Sequence, residues 1–320
     1  MAIEDDRVVL ENAPGNAKYT SPGIQKQLLN ILGNKVRNMI REEIGDAKFF
    51  ILVDEAVDVA SKEQMSIILR FVDCYGMVRE RFFKIVSVPN TTSQTLKIEI
   101  SKVLSTFNLQ VKNIRGQGYD GASNMSGIWN GLQALFLEEC PYAYYGLSEL
   151  NKRFTDQSSE LLILSSTLDP CVHFSQFKTE KVCTLAKKFY PEDFVHDELF
   201  SLELECAYYE RDMLKDPKFQ NLTSVSGLCQ QLVQIIKSEF FPMIYRLICL
   251  VLTLHVSTTT PERAFSSMNI IKNKIRNRIE DEFLDDCMVL HIENEFAEVI
   301  DNDSVIKEFE ALRPRTVSFS

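Results

Sequence analysis

Apolar residues recur at helical spacing from Ile24 through Leu28, Leu29, Ile31, Leu32, Val36, Met39 and Ile40 to Ile44, behind the helix-start pair Ser21-Pro22. This predicts a helix over residues 20–46, either whole or broken near Gly33. The pattern then changes. Phe49-Phe50-Ile51-Leu52-Val53 is a continuous apolar run ending at Asp54, as in a strand buried on both faces. Two further strand-like runs, 66–74 and 79–88, are separated by a turn at Tyr75-Gly76. Residues 93–104 return to helical spacing with Ser93 as a cap, and a short strand is read at 111–114. Gly116-Gln117-Gly118-Tyr119-Asp120-Gly121 reads as a loop, too glycine-rich for a regular element, and a helix follows from about Asn124 to Leu137.

The first half is therefore strand, strand, strand, helix, strand, helix: a hairpin meander followed by a crossover connection. From Gln176 to Phe296 the spacing is helical almost throughout, with breaks at Pro191, Pro217, Pro242 and residues 257–261. Residues 141–166 between the halves follow neither pattern. The expected class is α/β, a mixed sheet with helices, followed by an all-α half.

Composition narrows the class of molecule. Of 320 residues, 45% are hydrophobic and 25% charged, the balance of a soluble globular chain with one large domain or two ordinary ones. Glycine and proline are sparse, at 12 and 10 residues, and no tract is of low complexity, which excludes disordered and fibrous chains. The longest apolar run, Leu247 to Leu254, is far short of the ~18 residues of a membrane span, so no membrane partner is expected. Met1 to Arg7 is acidic with no apolar segment behind it, which argues for an intracellular protein without a secretory signal. The eight cysteines include no C-x-x-C pair and read as reduced, mostly buried thiols. Cys171 and His173 form one C-x-H, with no second ligand pair nearby. With 35 basic and 45 acidic residues the net charge is −10, which speaks against nucleic-acid binding by the whole surface and leaves room for a local basic strip.

Such a strip exists. Lys272, Lys274, Arg276 and Arg278 cluster behind Ser257-Thr258-Thr259-Thr260-Pro261-Glu262, where Thr260 suits a helix cap and Pro261 a first turn. The cluster could contact phosphates or form a solvated helix face. Glu262 has a sufficient explanation as a first-turn acid, yet it is the only acidic residue between Glu239 and Glu280. Asp54, followed by Glu55 and Asp58, ends one apolar strand, and Asp120 follows another. Carboxylates at adjacent strand ends can share hard divalent cations, or can simply cap turns. Leu284, Met288, Ile292 and Phe296 recur every four residues, a stripe for the chain's own core or for a partner helix.

Several segments together resemble the hAT superfamily of DNA transposases, in particular domesticated, zinc-finger MYM-type-like relatives that carry a domain of unknown function 4371. They are residues 16–22 (Asn-Ala-Lys-Tyr-Thr-Ser-Pro), Val53-Asp54-Glu55-Ala56-Val57-Asp58-Val59 with Glu63-Gln64, residues 116–127 around Asp120, and Val256 to Met268 with Ile271-Lys272 and Arg276-Asn277-Arg278. The resemblance implies a ribonuclease-H-like core with a D-D-E triad, onto which Asp54, Asp120 and Glu262 map as Mg²⁺ ligands and catalytic acids. It implies a C-terminal dimerisation region, a homodimer joined through Leu284, Met288, Ile292 and Phe296, contact with DNA, and a nuclear location.

The chain departs from that pattern. After Pro141-Tyr142-Ala143-Tyr144-Tyr145 the expected strand with its Cys-His motif, and most of a helical insertion, are read as deleted. No upstream zinc finger is present in the sequence, His255 stands where proline is usual, and Ala56 where threonine is favoured. The expected architecture is an incomplete ribonuclease-H-like part over residues 1–145, a joint over 146–167, and a helical dimerisation region over 168–320. The expected function is that of a transposase-derived protein, catalytically inactive and acting through dimerisation. The alternatives are a Mg²⁺-dependent D-D-E transposase or nuclease, with DNA as substrate, and a decayed element or defective gene model with no selected function.

Overall fold

The computed structural model describes residues 21–58, 60–119, 131–145, 156–172, 177–213, 215–219, 222–254, 259–272 and 280–312. Helix α1 (Pro22–Ile44) runs unbroken through Gly33. That glycine serves a close approach rather than a break: a Cβ there would lie 2.6 Å from Oδ1 of Asp286, so bare backbone lets a distant helix close in.

Strands β1 (Phe49–Val57), β2 (Glu63–Val72) and β3 (Val78–Ser87) form the antiparallel meander. Helix α2 (Ser93–Thr106) follows, its first turn capped by Thr92, which accepts a hydrogen bond from the Thr95 amide. The crossover ends in β4 (Ile114–Tyr119), parallel to β1. This corrects the loop expected from residue 116. Gly116 and Gly118 are strand residues, and a Cβ on either would meet the Phe50 ring, at 2.1 and 2.8 Å. The glycines make room for an aromatic side chain on the neighbouring strand.

Helix α3 (Leu132–Glu139) leads to β5 (Tyr144–Tyr145), a two-residue strand parallel to β4, which completes the order β3-β2-β1-β4-β5. This short strand lies just ahead of the joint expected at 146–167, of which residues 146–155 are outside the described set. A helical section follows: α4 (Asp156–Ser165), α5 (Thr179–Phe189), α6 (His196–Met213), α7 (Val225–Gln234), α8 (Lys237–Phe240) and α9 (Pro242–Thr253). These helices gather Leu185, Phe189, Tyr209, Leu232 and Leu247 into a core of their own. It abuts the sheet where α9 crosses β2, and Arg70 of β2 donates to the Leu252 carbonyl at 3.0 Å.

The last helices return to the sheet. In α10 (Thr259–Ile271) and α11 (Asp281–Ile292), Ala264, Met268, Leu284, Met288 and Val289 join the same core as Phe50, Ile67 and Phe83. Helices α12 (Asn294–Glu298) and α13 (Asn302–Ala311) complete this body, where Val305 and Phe309 of α13 pack on Ile31 of α1. Residues 168–320 therefore do not pack as one unit. Residues 156–254 stand as a helical insert between β5 and a C-terminal segment that belongs to the sheet. No helix among the described residues is long and apolar enough to cross a membrane.

Candidate functional site

Strand β1 does not stop at Asp54. It continues to Val57 against β2, with Asp54 opposite Ser66. Its pairing with β4 among the described residues runs to Val53↔Tyr119, one position before Asp54. Its carboxylate is half-buried and accepts a hydrogen bond from the Glu55 amide at 3.0 Å. Asp120, next after Tyr119, lies outside the described residues. Glu262 sits in the first turn of α10, which packs across β1 and β2, and its side chain is outside the described set.

Asp58 is described fully, and it has a structural task. Its carboxylate is buried at the tip of the β1–β2 turn, where it accepts hydrogen bonds from the Ala60 amide (2.7 Å), the Lys62 amide (3.1 Å) and Gln64 (3.1 Å), and forms an ion pair with Lys272. Burial alone would raise its pKa. The hydrogen bonds from Lys272 and the two amides outweigh that and hold it below the ordinary aspartate range. Lys272, expected to contact phosphate, is fully buried on this carboxylate, and its ammonium is withdrawn from solvent. Lys274, Arg276 and Arg278 lie outside the described residues.

A second charged seam fixes α11 to the edge of the sheet. Strand β3 is an outer strand with a bulge opposite Ile67 and Ile68 that leaves Phe83 unpaired. Three side chains meet its backbone there: Asp285 accepts from the Ile85 amide at 2.9 Å, Glu293 accepts from the Phe82 amide at 2.7 Å, and Arg37 donates to the Phe83 carbonyl at 3.3 Å. Arg37 also bridges Asp285 (2.6 Å) and Asp286 (2.9 Å), and Lys84 reaches Asp285 at 2.6 Å. Arg81 clamps Glu43 with two hydrogen bonds of 2.8 Å, pairs with Glu293 and Glu295, and lies over the Phe296 ring at 4.5 Å. Burial pushes the carboxyls of Asp286 and Glu293 above their usual range despite these arginines. An edge strand that would otherwise invite another chain is thus closed by side chains from about 200 residues away in sequence.

The sheet order and the late helices coincide with two family matches. Residues 2–131 match the family described as ZMYM1/FAM200, RNase-like domain, and residues 234–295 match the hAT family C-terminal dimerisation region. The chain thus carries an RNase-like segment of the ZMYM1/FAM200 kind together with a hAT C-terminal dimerisation segment. It is similar to the human 52 kDa repressor of the inhibitor of the protein kinase, 28% identical over 139 residues, which are 43% of this chain and 18% of that protein. The mouse protein of the same description is 28% identical over 134 residues, 41% of this chain and again 18% of the relative. The aligned part thus spans under a fifth of either relative's length.

The dimerisation match crosses both bodies: α9 belongs to the helical insert, α10 and α11 to the sheet core. That corrects the expected partner stripe. Leu284 and Met288 are completely buried within their own chain, and Ile292 and Phe296 pack against the same core. The cysteines are all free thiols, but only Cys140, Cys206 and Cys229 are buried, against the expectation of mostly buried sulfurs. Cys171 donates to the Thr223 carbonyl at 2.8 Å, and His173 lies outside the described residues. Among the described residues no group of three or more metal-ligating side chains comes together. Sequence reading missed Arg37, Arg81, Asp285, Asp286 and Glu293. The available signal was a charge set inside an apolar face: Arg37 lies between Val36 and Ile40, and Asp285-Asp286 between Leu284 and Met288.

Proposed function

We propose that the chain works as a self-associating, catalytically silent descendant of a hAT transposase, located in the nucleus. The carrying observation is the Asp58–Lys272 pair. It joins the first acidic block to the basic block of the late helices, so that a lysine suited to phosphate is held by a structural acid four residues beyond Asp54 and ties the end of α10 to the sheet. The match to a hAT C-terminal dimerisation region supports the self-association. The test is direct. Purified protein is incubated with supercoiled plasmid in Mg²⁺ or Mn²⁺, and no nicking or joining is expected. Activity abolished by Asp54→Asn or Asp120→Asn would overturn the silent reading. Sedimentation at micromolar concentration is expected to give a dimer, and imaging of the tagged chain a nuclear signal.

The register of the sheet favours a second reading, a D-D-E nuclease or strand transferase acting on DNA. Val53 and Tyr119 are paired across β1 and β4, and each directly precedes an acid, Asp54 and Asp120. In that reading Asp54, Asp120 and Glu262 would hold Mg²⁺, which supplies charge stabilisation for attacking and leaving oxygens. The plasmid assay separates the two readings.

A further inference from the structure

Helix α6 carries an apolar stripe on its outside. Phe200, Leu204 and Tyr208 are 63%, 49% and 67% exposed, with the small exposed residues Ser201 and Ala207 beside them. The opposite face, Leu202, Cys206, Tyr209 and Met213, is the one buried in the helical core. Two of the helix's acids also turn inward. Glu198 accepts from Arg246 at 2.9 Å, and Glu205 accepts from the amides of Met243 and Ile244 at 3.0 Å. The ends of the stripe are marked by exposed opposite charges, Asp197 and Arg211, and neither enters an ion pair among the described residues.

The spacing of this face is symmetric. Positions 197, 200, 204, 208 and 211 are separated by three, four, four and three residues, so they read alike from either end about Leu204. That symmetry is what a twofold interface requires, since the same patch must complement itself. With a second α6 laid antiparallel on the first, Leu204 meets the partner's Leu204, Phe200 lies beside the partner's Tyr208, and Asp197 faces the partner's Arg211, twice over. A parallel pairing would set Asp197 on the partner's Asp197 and forfeit both attractions.

We propose that the exposed face of α6 is a homodimer contact, two copies of the helix pairing antiparallel about Leu204. The proposal rests on the self-association reading above and locates the contact in the insert, outside the segment that matches the dimerisation family. Two short helices bury less than the roughly 1,200 Å² of a standard interface, so the association is concentration-dependent.

Sedimentation equilibrium of the full chain tests it, with circular dichroism as a folding control for each exposed-site variant. The unmodified chain is expected to dimerise, and Leu204→Glu to weaken the dimer at least ~100-fold while leaving the helical signal unchanged. Asp197→Arg or Arg211→Asp alone is expected to weaken it about 10-fold, and the two together to restore it. A dimer indifferent to Leu204→Glu would overturn this contact and leave the self-association reading intact. Failure of the charge swap to restore binding would overturn the antiparallel register. A monomeric unmodified chain would remove both readings, and a monomer that binds a lysine-rich amphipathic peptide on α6 would replace the second copy with a basic partner helix.

Discussion

Helix α11 presents Leu284, Met288 and Ile292 at four-residue steps, and helix α6 presents Phe200, Leu204 and Tyr208 at the same steps. Leu284 and Met288 are sealed in the sheet core, whereas the α6 trio faces water. The acids beside each stripe differ in the same sense. On α11, Asp285 and Asp286 are buried and share Arg37, and Glu293 just beyond the helix is held by Arg81 and the Phe82 amide. On α6, Asp197, Glu203 and Glu210 remain exposed. A buried carboxylate needs specified partners to offset its desolvation, so an acid-lined apolar face becomes core only where another segment delivers those partners. Apolar periodicity selects the face of a helix, and the charges beside it decide what covers that face.

The comparison breaks most visibly at the centre of each stripe. Met288→Glu places an unpaired charge in the sheet core and is expected to cost more than about 4 kcal/mol, enough to unfold the chain in urea titration. Leu204→Glu, the matching change on α6, is expected to stay within about 0.5 kcal/mol of the unmodified stability. Equal losses at the two positions would mean that α6 is also core.

Arg37→Met tests the seam itself. It strands Asp285 and Asp286 without their guanidinium, for an expected loss of about 3–5 kcal/mol by denaturant unfolding. Lys84 also reaches Asp285, so Asp286 is left the more exposed of the two. Lys272→Met leaves Asp58 buried with its amide and Gln64 hydrogen bonds, and a loss near 3 kcal/mol is expected. Adding Asp58→Asn should recover part of it. A strictly additive double variant would deny that the two side chains act as a pair.

The smallest effect is in pH dependence. Asp286 and Glu293 have raised carboxyl pKa values in the folded chain, so folding gains from protonating them. Stability should therefore rise as pH falls from neutral through their folded pKa values. Asp58 acts in the opposite sense: its lowered pKa contributes stability above the ordinary aspartate range, which is lost as pH falls through its folded pKa. Asp286→Asn should flatten the first part of this curve, and a melting series from neutral to acid pH would show it. An unchanged slope would dissociate the seam from the pH response.

Much of the fold was legible from residue pattern because the signals are local. Phe49–Val53 is apolar on both pleat faces, the two following runs are separated by Tyr75-Gly76, and α1 keeps its helical spacing over 23 residues. Strand β4 was misread because Gly116 and Gly118 are normally turn residues, and their use here depends on a ring delivered by Phe50 from another strand. The two-residue β5 carries no periodicity to detect. Of the candidate site, the acid at residue 54 was legible as a polar stop after an apolar run, whereas the pairing of Asp58 with Lys272 joins residues 214 apart.

What the sequence by itself determined is the kind of element at most positions and the two ends of a family signature, because hydrophobic spacing, capping residues and motif blocks all act within a few turns of chain. Only the tertiary structure decided that the late helices leave the insert and rejoin the sheet, that the stripe of α11 is core and that of α6 is not, and that Lys272 serves the fold. Those outcomes depend on which distant charges neutralise one another when water is excluded, and desolvation has no local trace in sequence.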